Sequence, residues 1–167
     1  MNMELKSAEP ERLPATASKV RTLKTEAGQV EITCIDGYRI LYNNSKKVPF
    51  VNLKVERYEP QAYQHDIKGI VDNLKYLNSV SKGMETKDVI ELDLNGYKIW
   101  GLSRGSIETG STLGTFCMFP GDDVVVYFYF NNLKPEWRNF ETLEDYKKQR
   151  DQFLEEYTRH LKQCKSQ

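Results

Sequence analysis

The run Gly101-Leu102-Ser103-Arg104-Gly105 matches the G-x-S-x-G pattern of serine hydrolases. That chemistry needs its serine on a strained turn from a strand into a helix, with the hydroxyl above an oxyanion hole. A strand precedes Ser103, but Gly105, Gly110 and Gly114 then stand among Ser and Thr, the composition of a loop leading to another strand. The histidine that should follow in chain order is available only as His160, close to Arg159 and Lys162 on the last helix. A strand end followed by a loop is the expectation, with a small serine hydrolase using Ser103 as the alternative. Gly105 and Gly110 also have the separation of a phosphate loop. Ser111 stands where its lysine belongs, and no helix follows.

Other constellations are thinner. Gly121-Asp122-Asp123 lacks the spaced oxygen ligands and distal Glu of a calcium loop, and reads as a turn. Asp88, Glu91 and Asp93 cluster before a hairpin, with Glu91 and Asp93 on one face. Paired carboxylates serve glycosidases, but a solvated strand face carries the same residues. His65 and His160 each lie alone on a helix, without a second metal ligand nearby. Cys34, Cys117 and Cys164 show no C-x-x-C spacing, so neither a zinc ribbon nor a disulfide framework is indicated, although one disulfide stays open. Cys34 and Cys117 fall in apolar alternating runs, where a thiol packs as a small hydrophobe. No metal or cofactor is called for. Leu133, Trp137 and Phe140 alternate with Lys134, Glu136 and Arg138, as on a base-stacking surface. Residues 134 to 167 nevertheless hold 8 Lys+Arg against 7 Asp+Glu, so the local field is neutral. Trp137 either plugs the join of sheet and last helix or stands exposed as a partner anchor. The plug is expected, because large aromatics are mostly buried.

The elements that must position these residues follow from periodicity. Residues 1–27, with Glu9-Pro10-Glu11 and Leu13-Pro14-Ala15, read as a flexible polar tail, and residues 28–167 as one domain. Val30, Ile32 and Cys34 alternate with polar neighbours, Asp36-Gly37 offers a hairpin turn, and Tyr38, Ile40 and Tyr42 form the return strand, which ends at the turn-rich Asn43-Asn44-Ser45. Val51, Leu53 and Val55 alternate with Asn52, Lys54 and Glu56, so one face of that strand is wet. From Pro60 to about Ser81, Ile67, Ile70, Val71, Leu74, Leu77 and Val80 make a helical stripe, with Gly83 placed as its cap. Strands at Val89–Leu94 and Tyr97–Leu102 flank Asn95-Gly96, a strong hairpin signal. Thr112–Phe119 follows, and then Val124–Phe130, which is apolar on both faces and belongs at the centre of a sheet. The last helix runs from about Glu141 to Cys164, capped by Asn139 or Thr142, with Glu144–Lys148 and Glu155–Arg159 as pairs four apart. The fold class is α+β, an antiparallel sheet sandwiched by two amphipathic helices and preceded by the polar tail.

Composition narrows function by exclusion. The 167 residues carry 24 Lys+Arg against 24 Asp+Glu, without the basic excess of a nucleic-acid binder. No run approaches the roughly 20 apolar residues of a membrane span. The chain is polar, at a mean hydropathy of −0.65. Its 10 Tyr, 7 Phe and 2 Trp are too many for a disordered chain. As written it is soluble and cytoplasmic, or periplasmic or secreted if a leader has been removed.

Between Val48 and Cys164 the order of elements resembles the α/β/α sandwich shared by the photosystem II extrinsic protein PsbP and the Ran-binding nuclear import factor grouped with it. It rests on the Ile67–Leu77 helix, the Asn95-Gly96 hairpin, the aromatic strand Val125–Phe130 and the closing helix Leu143–Leu161. The likeness is one of architecture and transfers no functional residue. Bacterial members include secreted proteins and adaptor chaperones of type VI secretion effectors, and members are mostly binding or scaffold proteins. With the missing catalytic geometry and the abundant Tyr and Trp, the expectation is a bacterial, non-catalytic module acting on a protein partner through an exposed sheet face or the loops around residues 103–112 and 131–140. The balanced charge argues against nucleic acid. Tyr127, Tyr129, Trp100, Arg104 and Trp137 are the candidate contact residues. A carrier of a small apolar ligand, its pocket between sheet and helix, is a further alternative.

Overall fold

The structure, a computed structural model, describes residues 6–7, 11–12, 19–43, 49–80, 90–108 and 110–167. Its elements are β1 (Lys6–Ser7), β2 (Glu11–Arg12), β3 (Lys19–Thr25), β4 (Gly28–Asn43), β5 (Pro49–Tyr58), α1 (Tyr63–Val80), β6 (Ile90–Leu94), β7 (Tyr97–Ser103), β8 (Thr112–Gly121), β9 (Val124–Asn131) and α2 (Leu143–Lys165). The strands form one antiparallel sheet whose path runs β1-β4-β5-β9-β8-β7-β6, with β2 and β3 also paired to β4. The fold is α+β, and β9 lies at the middle of the path as its two apolar faces require. The turn at Asn44-Ser45, the Gly83 cap, Asp88, Val89 and the Val48 end of the resemblance fall outside the described residues.

Two expectations at the N-terminal side are corrected. Asp36-Gly37 is no hairpin turn: β4 runs through it as one strand, with a register shift between Cys34 and Asp36. A tight turn needs left-handed backbone, and among β4 residues that occurs at Gly28, φ 123°, where Glu26-Ala27 links β3 to β4. Lys19–Thr25, expected within the tail, is therefore a paired strand. Its period was hidden because the side chains it turns inward are Arg21, Leu23 and Thr25, while Val20 is 59% exposed. The later turns match their residues. Asn95 and Gly96 have φ 55° and 85°, and Asp122 and Asp123 have φ 56° and 66°.

Alternate side chains of β9 enter two separate cores. Val126, Phe128 and Phe130 pack with Phe116 of β8 and with Tyr146, Phe153 and Leu154 of α2. Val125 and Tyr127 pack with Ile32 and Cys34 of β4 and with Tyr63, Ile70 and Leu74 of α1. Burying each such aromatic or aliphatic side chain contributes about 1.5–3 kcal/mol. Thr142 caps α2 in a reciprocal box with Asp145, and Glu144 pairs with Lys147 at 3.0 Å. Leu77 and Val80 of the α1 stripe are exposed, although the helix rests on β3, β4 and β7. Cys164, expected in the α2 stripe, is exposed too.

Candidate functional site

In-register partners on neighbouring strands share a sheet face, so the pairing pattern shows what surrounds Tyr127 and Tyr129. One row crosses the sheet as Arg39, Lys54, Tyr127, Cys117, Trp100 and Glu91. The next runs Leu41, Asn52, Tyr129, Thr115 and Leu102. Tyr127 and Tyr129 stack with ring centroids 6.2 Å apart and planes within 13°. The Lys54 ammonium lies 5.0 Å from the centre of the Tyr127 ring and 6.0 Å from that of Tyr129. Lys75 of α1 lies 5.3 Å over Trp100. A lysine over an aromatic face is attracted by the ring's electrons and lays its apolar stem along the ring.

Beneath the first row lies a buried polar cluster. Glu56 is 4% exposed and accepts from Arg21, from the Tyr58 hydroxyl and, at 2.9 Å, from Lys54. Gly37 stands opposite Glu56 in register, so β4 sets no side chain at that position. The Tyr58 and Tyr127 hydroxyls are 3.0 Å apart, and Arg21 donates to Tyr127 at 3.3 Å. Burial, then the neighbouring Tyr127 and Glu56, pushes the Tyr58 phenol far above its ordinary range. Burial also raises Tyr127 and pushes Tyr129 up to about 12. These phenols are neutral near pH 7 and serve as hydrogen-bonding groups rather than bases. Two polar atoms here have no partner, Arg21 Nε and Asn52 Oδ1.

The other candidate residues lie elsewhere. Ser103 is buried at the end of β7, where its hydroxyl accepts from Arg150 of α2 at 3.0 Å. No helix follows it. Its neighbourhood is aromatic, since Arg150 lies 5.4 Å from the Phe116 ring centre and 5.9 Å from that of Tyr146. Arg104 sits in the loop after β7 against Gly110, where a Cβ would come within 2.2 Å of its guanidinium. Trp137 is not the expected plug: it is 43% exposed, with Lys134 5.0 Å over its ring. Phe140 fills the join instead, 6.3 Å from Phe50 and 5.8 Å from Tyr146. Tyr127, Tyr129 and Trp100 thus share one face, whereas Arg104 and Trp137 belong to loops outside those rows.

Arg21, Asn52, Lys54, Glu56 and Tyr58 were not among the sequence candidates. The alternation of Asn52, Lys54 and Glu56 was visible, but it reads as a wet strand edge until β5 is known to pair with β9. All three cysteines are free. Cys34 donates to Asp36 O at 3.2 Å and Cys117 to Trp100 O at 3.5 Å, and burial raises both thiols, so neither is poised to react. His65 Nδ1 lies 3.2 Å from Asp66 Oδ1. Glu91 and Asp93 are both exposed, as a solvated strand face requires. Among the described residues no group of three or more His, Cys, Asp or Glu could hold a metal ion, and no helix is long and apolar enough to cross a membrane. Comparison with protein-family models, with curated proteins and with solved structures gives no match for this chain.

Proposed function

We propose that this chain is a non-catalytic binding module whose contact surface is the Tyr127 face of the sheet, centred on Tyr129, Lys54, Asn52 and Trp100. The observation that carries the reading is the pair of cross-strand rows. Half-buried Tyr129, Trp100 and Lys54 are held in place by stacking and by the cluster below them, yet keep accessible surface. Rigid aromatic rings that keep accessible surface are enriched at protein contact surfaces. The burial of Ser103 against Arg150 favours binding over hydrolysis, because a nucleophile needs a base at its hydroxyl rather than a cationic donor. The two cores entered by alternate residues of β9 support an arrangement in which α1 and α2 cover opposite faces, a PsbP-like α/β/α architecture. The partner is a protein.

The test is capture from an extract of the native source on the immobilised chain. A specific protein retained by the wild type and by Tyr38→Ala, but lost from the Lys54→Ala/Tyr129→Ala pair, supports the reading. Tyr38 lies opposite Val55 and so belongs to the other side of the sheet. Retention by all three chains would place the contact elsewhere. Esterase turnover abolished by Ser103→Ala would replace binding with catalysis.

A further inference from the structure

On the α2 side of the sheet a groove of about 450 Å³ opens between Tyr42 of β4 and the C-terminal half of α2. That volume is in the range of small-molecule sites, roughly 300–1,000 Å³. Three of its walls are aromatic: Tyr42 meets Phe153 edge-on at 5.1 Å, and Phe153 stacks on Tyr157 at 6.3 Å. Leu161 closes the apolar part. Among the described residues the polar lining is Glu156, His160 and Cys164, one turn apart on α2, so it includes a carboxylate and neither lysine nor arginine. The groove also follows the last turns of α2, where the helix dipole places partial negative charge. Of the basic residues in that last turn, Lys165 is drawn aside, donating to Pro120 O at 3.0 Å and facing Asp122 at 3.8 Å. Burial pushes the Tyr157 phenol up to about 12 and raises Tyr42, so both rings are neutral at physiological pH.

The geometry points to this groove as a site for a small organic ammonium ion with a methylated nitrogen. The cation would lie against the faces of Tyr42 and Tyr157, with Glu156 as its counter-charge. Ring faces attract a weakly hydrated quaternary nitrogen more than an uncharged group of the same shape. An uncharged apolar ligand would use the rings but gain nothing from Glu156 or the helix end. The site is independent of the Tyr127 face, and either can fail without the other.

The test titrates the full chain with choline and, separately, with its uncharged carbon isostere, in which a tert-butyl group replaces the trimethylammonium. The readouts are backbone amide shifts and the alkylation rate of Cys164, an exposed thiol that lines the groove. Saturable shifts at Tyr42, Tyr157 and His160 are expected, with slower alkylation of Cys164 and about fivefold weaker binding of the isostere. Glu156→Gln, at a half-buried position of α2 on the groove wall, should weaken choline about fivefold and leave the isostere unchanged. Equal affinity for choline and isostere, or no saturable choline shift at these residues, would overturn the assignment.

Discussion

Glu56 is a buried carboxylate on which polar side chains of the Tyr127 face converge, Arg21, Lys54 and Tyr58 from three directions. Removing one member of such a group leaves the others facing a low-dielectric interior, which costs more than the net worth of any one contact. Arg21 and Lys54 keep 32% and 20% of their side chains exposed, so water recovers part of that loss. Glu56→Leu should therefore destabilise by about 2–4 kcal/mol, and Glu56→Gln by about 1–2 kcal/mol because the amide oxygen still accepts from Tyr58. Urea unfolding measures both, and unchanged midpoints would contradict the account. The tyrosines supply a second, pH-dependent test. Burial raises Tyr129 and Tyr157 to about 12 and others further, against an ordinary value of 10.0, so the fold favours the neutral phenol. That contribution is complete below pH 10 and is lost as pH rises through 12. Phenolate absorbance of the buried tyrosines should appear together with loss of circular dichroism in that window. Ionisation well before unfolding would show that the rings are more open than described.

At the scale of elements, the sheet is held by shapes that the sequence reveals only in part. Gly101 faces Phe116 in register, and a Cβ there would come within 2.2 Å of the Phe116 ring. Gly101→Ala should push that ring off its seat and destabilise by about 1–3 kcal/mol in a thermal or urea melt. An unchanged melt would show that the ring yields without cost. From sequence, this glycine carries only the G-x-S-x-G signal, because its packing partner is supplied by another strand. Elements with strong local codes were legible. The α2 stripe with its Thr142 cap, the Asn95-Gly96 hairpin and the doubly apolar β9 stand where periodicity and turn chemistry put them. The errors arose where local and tertiary preferences conflict. Asp36-Gly37 has turn residues but is drawn through the sheet by pairing with Arg57 and Glu56 of β5, and β3 turns a charged Arg21 inward toward a carboxylate that lies 35 residues away. The candidate face was half legible: its tyrosines stood out, whereas Lys54, Glu56 and Asn52 acquire meaning only from the pairing of β5 with β9.

For the molecule as a whole, the balanced charge of 24 against 24 conceals an uneven distribution. The Tyr127 face carries Arg39, Lys54 and Lys75 around aromatic rings, with Glu56 buried among them and Glu91 exposed at the far end of the row, while the groove on the other side sets a carboxylate among rings, with no lysine or arginine among its described lining residues. One neutral chain thus presents two surfaces of different chemistry, and the Tyr127 face is the one proposed to meet another protein. The most direct test replaces Tyr129 with a photo-crosslinking phenylalanine analogue in the native cell, with the same replacement at Tyr38 as the control. Tyr38 is 42% exposed and belongs to the opposite side of the sheet. The account predicts one dominant protein adduct from position 129 and none of that mass from position 38. Adducts from position 38 with none from position 129 would contradict it.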